Sequence, residues 1–346
     1  MKQQSPRSRL SSAVAVATIL LGTAARAQEL PPTPTPVPLL WRVEPLDQNQ
    51  KPSYLFGTIH LGDRRATSLA PQVTDAILAS DVVWTEYQEP ENSDQLIAES
   101  TFLPDGQSLM ELVGEDYAAT IRDLLAETGM ESMGPFLDRM QPIPASVILG
   151  SIERPELLGE DGVDDVVEDL GIENDKEIGG VETLEEQIAV LTSVDLDAAV
   201  RMFKRSVDDL SSSRRSGEGE TEQLIVSYLR GDEEQQLAET LVGLSPEDPE
   251  LVPFVDALVW NRNRIMANRT ADWIRANEDR SLFLAVGAAH LGGEGGVISL
   301  LEKKGFTLTR IPDEKTRAQL RVEWARWDLQ VAEIELERLS RNSSGR

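Results

Sequence analysis

Short apolar segments that predict β-strands lie near both ends of the 346-residue chain, and a long helix-rich stretch separates them. Such runs, rich in β-branched and aromatic side chains and bounded by turn residues, are typical of strands. The predicted strands are residues 41–43, 53–60, 81–87, 177–182, 281–287 and 307–311. Strands from both chain ends predict an α/β fold, in which a central mixed sheet carries the helix-rich middle as an insertion.

The middle of the chain, residues 108–256, contains several segments whose apolar side chains recur at helical spacing. One of them predicts a single helix over residues 109–129. The polar stretch 211–219, rich in serine and arginine, predicts an exposed loop.

Residues 1–27 predict a cleaved signal peptide. They begin with basic residues, continue with a short apolar run and end in Ala25-Arg26-Ala27, a pattern that secretion peptidases recognise. The apolar run is shorter than the roughly 20 residues that cross a bilayer, so we expect no membrane span after its removal. The mature protein is therefore expected in the periplasm or secreted.

After the leader, residues 28–38 are rich in proline and predict a linker, and residues 39–312 predict a catalytic domain. Residues 313–346 form a charged tail with helical patterning. Its apolar side chains favour packing onto the domain as a cap, and the alternative is a docking surface for a partner.

The composition excludes several functions. The chain has no cysteine, so disulfides, thiolate metal ligands, a cysteine nucleophile and a lipid-modified N-terminal cysteine are all excluded. Its formal net charge is −27, from 33 basic and 60 acidic residues. Such a surface repels phosphate backbones and anionic lipids, so we expect neither nucleic acid nor a membrane surface as a partner.

The two histidines of the chain lie in matching contexts. Gly57-Thr58-Ile59-His60 and Gly287-Ala288-Ala289-His290 each end an apolar strand and precede a glycine turn. Side chains at such strand ends project into the crevice where open α/β sheets bind ligands. Because neutral imidazole is a common ligand of zinc, iron, manganese and cobalt, we favour one shared metal site. The alternative is that each histidine is a structural residue paired with a carbonyl or carboxylate.

Four further residues are candidates for the same site. Glu86 ends a buried strand and is the first choice for a carboxylate ligand, unless it faces water. Glu182 is a second carboxylate, although it could instead cap the helix that begins at Leu184. Arg262 and Asn263 could bind an oxyanion or hold Glu86, or they could lie on a solvated helix face.

These motifs resemble those of the TraB/GumN family, which is related to the Tiki proteases. The resemblance rests on the two Gly-x-x-His motifs in order, the intervening Glu86, and agreement along residues 39–311. It implies an α/β fold of the erythromycin-esterase-like and ChaN-like group. For Tiki-like members it also implies proteolysis that depends on a divalent ion such as manganese or cobalt. The long acidic stretches and the proline-rich leader depart from the family.

We therefore expect a metal-dependent hydrolase that acts on a peptide or another small substrate with an amide or ester bond. His60, Glu86 and His290 would hold a divalent ion (manganese, cobalt or zinc), which activates water and polarises the scissile carbonyl. Two alternatives stay open. One is a metal-independent hydrolase with a histidine general base, and the other is a protein that sequesters a peptide or ligand without turnover.

Overall fold

The computed structural model describes residues 31–45, 50–90, 92–216, 219–244 and 249–343. The predicted signal peptide lies outside the described residues, as do the first three residues of the predicted linker. In the described part, no helix combines the length and the hydropathy that crossing a bilayer requires.

Six strands form one mixed sheet, so the predicted α/β class is confirmed. The strands are β1 Leu40–Glu44, β2 Ser53–Thr58, β3 Val82–Tyr87, β4 Glu177–Glu182, β5 Leu282–Gly287 and β6 Thr307–Ile311. They lie in the order β4-β3-β5-β2-β1-β6. The neighbours β4, β3, β5 and β2 run parallel, whereas β1 is antiparallel to both β2 and β6. All of the predicted strands are present, and the central strand β5 is a nearly continuous buried run because helices cover both faces of a parallel sheet.

Sixteen α-helices lie in the described part of the chain. They are α1 Arg64–Thr67, α2 Pro71–Ala79, α3 Ser93–Thr101, α4 Leu109–Val113, α5 Glu115–Thr128, α6 Gly134–Leu137, α7 Pro142–Ser151, α8 Val163–Glu173, α9 Leu184–Leu191, α10 Leu196–Ser216, α11 Glu220–Leu229, α12 Glu233–Gly243, α13 Val252–Val255, α14 Arg262–Ala276, α15 Val297–Lys303 and α16 Glu314–Ser343. A π-helical segment, Asp256–Asn261, joins α13 to α14.

The helix-rich middle builds a hydrophobic core of its own. One cluster of buried side chains surrounds the sheet, and a second cluster lies among α4, α5, α7 and α10. The second cluster contains Phe203, Ile121 and Leu149, none of which is exposed to solvent. The helix-rich insertion is therefore a packed subdomain with its own core rather than a set of surface loops.

The two ends of the described chain pack against each other. The indole N–H groups of Trp327 and Trp324 in α16 donate to the carbonyl oxygens of Pro31 and Thr35, at 3.0 and 3.3 Å. The backbone N–H of Val37 donates to the carbonyl of Leu229 at the end of α11, at 2.8 Å. Both tryptophans are buried in the core that surrounds the sheet, so one face of helix α16 is anchored to the body of the protein.

Candidate functional site

The four parallel strands end at the same edge of the sheet, and each contributes one predicted residue there. His60 follows β2, Glu86 lies near the end of β3, Glu182 ends β4, and His290 closes a short 3-10 turn after β5. The strand order therefore arranges Glu182, Glu86, His290 and His60 in sequence along this edge. Crevices at the carboxyl ends of parallel strands are where open α/β sheets bind ligands.

Glu86 is a buried carboxylate with both oxygens engaged. Its Oε1 accepts the backbone N–H of Gly287 at 2.7 Å, and its Oε2 accepts Nη2 of Arg262 at 2.6 Å and Nε2 of Gln187 at 3.1 Å. Burial opposes the charge, but the Arg262 guanidinium and then the imidazole of His290 outweigh burial and hold the pKa of Glu86 well below its usual range. Glu86 is therefore ionised, and it does not face open water.

Arg262 joins the two carboxylates of this edge. Its Nε and Nη2 donate to Oε2 of Glu182 at 2.9 and 2.7 Å, while Nη2 also reaches Glu86. Burial raises the pKa of Glu182, and the guanidinium offsets only part of this effect. Glu182 does not cap the following helix, because Thr183 and Glu186 form the capping box of α9. Arg262 does not lie on a solvated face either, since it is buried against both glutamates.

Asn263 fixes the orientation of His290. Its side-chain N–H donates to the carbonyl of Gly295 at 2.9 Å, which leaves Oδ1 to contact Nδ1 of His290 at 2.6 Å. This network assigns the proton of the neutral imidazole to Nδ1, so Nε2 carries the lone pair. Nε2 lies 3.8 Å from Oε1 of Glu86. Burial lowers the pKa of His290 to about 4, so the ring is neutral at physiological pH.

His60 is held from a different direction. Its Nδ1 lies 2.9 Å from Oδ1 of Asp164, and 62% of its side chain is exposed. The surrounding protein still desolvates the ring and opposes its charge, but the nearby Asp164 carboxylate outweighs this and raises the pKa of His60 to about 9. Among the described residues, no hydrogen bond or ion pair joins His60 directly to Glu86 or His290.

Asp164 is the site residue that sequence reasoning missed. It lies in the first turn of α8, and the backbone N–H of Val163 donates to the carbonyl of Ile59 at 3.0 Å, which brings this helix end to His60. Gly162 allows the close approach, because a Cβ there would lie 3.0 Å from Cα of His60. Asp164 is one of 60 acidic residues, and no local pattern distinguishes it from the others.

The donor chemistry of this edge suits a divalent cation, but the ligands are not assembled. In the part of the chain that the structure describes, no three His, Asp or Glu side chains are grouped closely enough to hold one ion. Each imidazole nevertheless has an oxygen beside its Nδ1, which is the arrangement that outer-shell partners give to metal-bound histidines. Nε2 is free to ligate in the neutral His290, and in His60 once that ring has lost a proton. Two imidazoles and the Glu86 carboxylate are the residue types that two-histidine, one-carboxylate metal sites use.

Curated relatives of the chain are metalloproteases by name. Metalloprotease TIKI2 of Xenopus tropicalis is 25% identical over 80% of this chain, and the match covers 60% of that relative. Metalloprotease TIKI1 of Danio rerio is 23% identical over 79% of this chain, with 63% of that relative covered. Metalloprotease TIKI1 of Homo sapiens is 23% identical over 79% of this chain, with 62% of that relative covered. The chain thus spans about three fifths of the length of these relatives.

No solved structure matches the chain. The model of the TraB/PrgY/gumN family matches residues 39–310, most of the described part of the chain, and confirms the resemblance drawn from the two Gly-x-x-His motifs. The chain belongs to the TraB/PrgY/gumN family.

Proposed function

We propose that the protein is a metal-dependent hydrolase that cleaves a peptide or a related amide or ester. One observation carries the proposal: the neutral His290 presents the lone pair of Nε2 at 3.8 Å from the ionised Glu86, at the edge where His60 also lies. The names of the TIKI relatives support a metalloprotease-like reaction. The predicted signal peptide supports export of this activity.

In this proposal His60, Glu86 and His290 hold the ion. When bound, the ion makes its water more acidic and polarises the scissile carbonyl. His290 must stay neutral to serve as a ligand, and its buried ring with Nδ1 held by Asn263 meets that requirement. His60 must lose a proton that Asp164 favours, so we expect ion affinity to rise with pH.

Of the remaining candidate residues, Arg262 and Asn263 position the site, and Glu182 accepts a proton. The Nε and Nη2 groups of Arg262 already bind Glu86 and Glu182, and Asn263 binds His290 and Gly295. We therefore assign Arg262 and Asn263 to positioning rather than to the oxyanion that the sequence suggested. Burial makes Glu182 a better proton acceptor than an ordinary glutamate, which suits a general base.

A second candidate function is a metal-independent hydrolase. The environments of the two histidines move their pKa values apart, to about 4 for His290 and about 9 for His60. Pairs separated in this way are typical of acid–base catalysis, with a neutral base and a protonated acid. The expected erythromycin-esterase-like grouping accords with this alternative, and we keep that grouping as a proposal.

The experiment that separates the two candidates is hydrolysis of an internally quenched peptide library by the purified protein, with and without a chelator. The metal-dependent proposal predicts loss of activity with chelator and recovery with manganese, cobalt or zinc. Activity that is insensitive to chelator selects the metal-independent hydrolase. A peptide that binds and is recovered intact selects a sequestering protein.

A further inference from the structure

Helix α16 has a second apolar face, opposite the one that anchors it. Its inner face buries Trp324 and Trp327 against the body of the protein. Its outer face carries a row of apolar residues spaced alternately by four and three positions: Ala318, Val322, Ala325, Leu329, Ala332 and Leu336. Val322, Leu329 and Leu336 are 51, 66 and 64% exposed. The row begins eight residues after the part of the chain that the family model matches.

The spacing of this outer row is the heptad repeat of a coiled coil. Apolar residues every 3.5 positions on average form a straight seam along a helix, and such seams are buried against another helix. Single exposed leucines are ordinary on protein surfaces, but a continuous apolar row over nearly three heptads marks an interaction surface. The inner face holds α16 in place, because Arg230 stacks over the ring of Trp324 at 5.3 Å.

We propose that the outer face of α16 pairs with the same face of a second copy of this chain, in antiparallel orientation. The sizes of the side chains in this outer row favour the antiparallel orientation over the parallel one. In an antiparallel pair Leu329 faces Ala332 of the partner subunit, and Leu336 faces Ala325 of the partner subunit, so each of these layers combines a large and a small side chain. A parallel pair would instead stack leucine on leucine and alanine on alanine, which fills space unevenly.

The charges at two flanking positions, Arg326 and Glu333, favour the same arrangement. In the antiparallel pair Arg326 faces Glu333 of the partner subunit, and the symmetry repeats this ion pair. In a parallel pair, Arg321 would lie beside Arg326 and Asp328 beside Glu333, so like charges would meet across the seam. Arg326 and Glu333 make no ion pair inside the described part of their own chain, whereas Asp328 and Arg321 are already paired with Arg230 and Glu314.

A twofold pair of this kind is self-complementary and closes after two subunits. The pairing surface lies on the outer face of α16 and uses none of the residues of the proposed active site. Pairing through α16 therefore does not depend on the proposed hydrolase function.

Sedimentation velocity of the full chain tests the pairing. We expect a concentration-dependent dimer, weakened at least tenfold by Leu329→Asp and by Arg326→Glu. Combining Arg326→Glu with Glu333→Arg exchanges the charges and should restore the dimer. Gln330→Asp, on the same helix but outside the seam, is the matched control and should leave the dimer intact. Circular dichroism checks that every variant keeps its helix content.

Cysteine cross-linking tests the orientation, because the chain contains no cysteine of its own. A variant with both Ala325→Cys and Leu336→Cys should form a covalent dimer under mild oxidation. Leu336→Cys alone should not, because at about 1.5 Å of rise per residue the two copies of position 336 lie about 16 Å apart along the axis. A wild-type monomer at every concentration, a Leu329→Asp variant that still dimerises, or efficient cross-linking of Leu336→Cys alone would overturn the proposal.

Discussion

At the level of single residues, the Nδ1 partner and the degree of burial set the charge of each histidine. His290 is buried and contacts a neutral amide, so its pKa falls to about 4. His60 contacts the carboxylate of Asp164, so its pKa rises to about 9 despite desolvation. The same side chain therefore has two protonation states at one sheet edge: burial accounts for the neutral His290, and Asp164 accounts for the protonated His60.

Nuclear magnetic resonance can test this directly, because the chain has only two histidines and gives two sets of ring signals. We expect one ring to stay protonated until the pH approaches 9, and the other to stay neutral until it falls towards 4. Asp164→Asn should move the pKa of His60 back to its ordinary range or below and leave that of His290 nearly unchanged. Two rings that both titrate near pH 6.5 would contradict the assignment.

Replacing Arg262 by methionine should destabilise the fold. The change leaves the buried carboxylates of Glu86 and Glu182 facing each other, and loss of one partner from a buried ionic group costs about 3–5 kcal/mol. In the native protein the depressed pKa of Glu86 gives stability that is present above its unfolded pKa and lost as the pH falls. Without the guanidinium both carboxylates favour protonation. The loss of unfolding free energy caused by Arg262→Met should therefore be smaller at pH 5 than at pH 7.

Urea unfolding at both pH values measures this effect. Arg264→Met is the matched control, since Arg264 is exposed and lies on the same helix, and it should change the free energy of unfolding by less than about 0.5 kcal/mol. An Arg262→Met penalty that is equally large at pH 5 and pH 7 would show that packing, rather than charge, dominates at this position.

The strand-end positions of His60, Glu86, Glu182 and His290 could be predicted from the sequence, because each follows or ends a short apolar run. The contact of His60 with Asp164 could not, because it depends on where the first turn of α8 meets the loop after β2. Local patterns predict which end of a strand a residue occupies. They do not predict which distant helix end will reach it.

At the level of elements, glycine decides how closely β3 and β4 approach near the site. A Cβ at Gly180 would lie 2.5 Å from the backbone N of Gln88 and 2.6 Å from Cα of Tyr87. Backbone atoms of a paired strand cannot move aside cheaply, so Gly180→Ala should destabilise the protein by about 1–3 kcal/mol. Gly150→Ala is the control: this helical glycine has open space, and alanine there should stabilise by about 0.5–1 kcal/mol.

Thermal unfolding of the two variants checks this pair of predictions, with opposite shifts of the melting temperature expected. A Gly180→Ala variant as stable as the native protein would mean that β4 can separate from β3 without cost. Glu182 would then be less firmly placed than its contacts with Arg262 indicate.

Two predicted elements were wrong, for different physical reasons. The helix predicted over residues 109–129 is two helices, because Gly114 adopts a φ of 84° that ends α4 and begins α5. The loop predicted over residues 211–219 is helical as far as Ser216, since α10 continues through the polar stretch. There the hydroxyl of Ser213 donates to Glu153 at 2.9 Å, so tertiary contacts stabilise a segment whose composition favours a loop.

At the level of the whole molecule, the sheet brings together residues that are more than 200 positions apart in the sequence. β2 and β5 pair in parallel, with Thr58 opposite Gly287, so both Gly-x-x-His motifs reach the same edge. The order of the strands could not be predicted from the apolar runs, because those runs define strands but not their neighbours. The packing of α16 against residues 31–37 likewise depends on tertiary contacts of Trp324 and Trp327.

The central claim is that His60, Glu86 and His290 bind one divalent ion, and metal content measured by mass spectrometry tests it most directly. The purified protein would be incubated with manganese, cobalt and zinc, desalted and compared with His60→Ala, His290→Ala and Glu86→Gln. Glu89→Gln is the control, because it removes the same charge from an exposed residue three positions away. We predict about one equivalent of metal in the native protein and in the control, and its loss in the three site variants. Unchanged metal content in His290→Ala, or no metal in any sample, would contradict the claim.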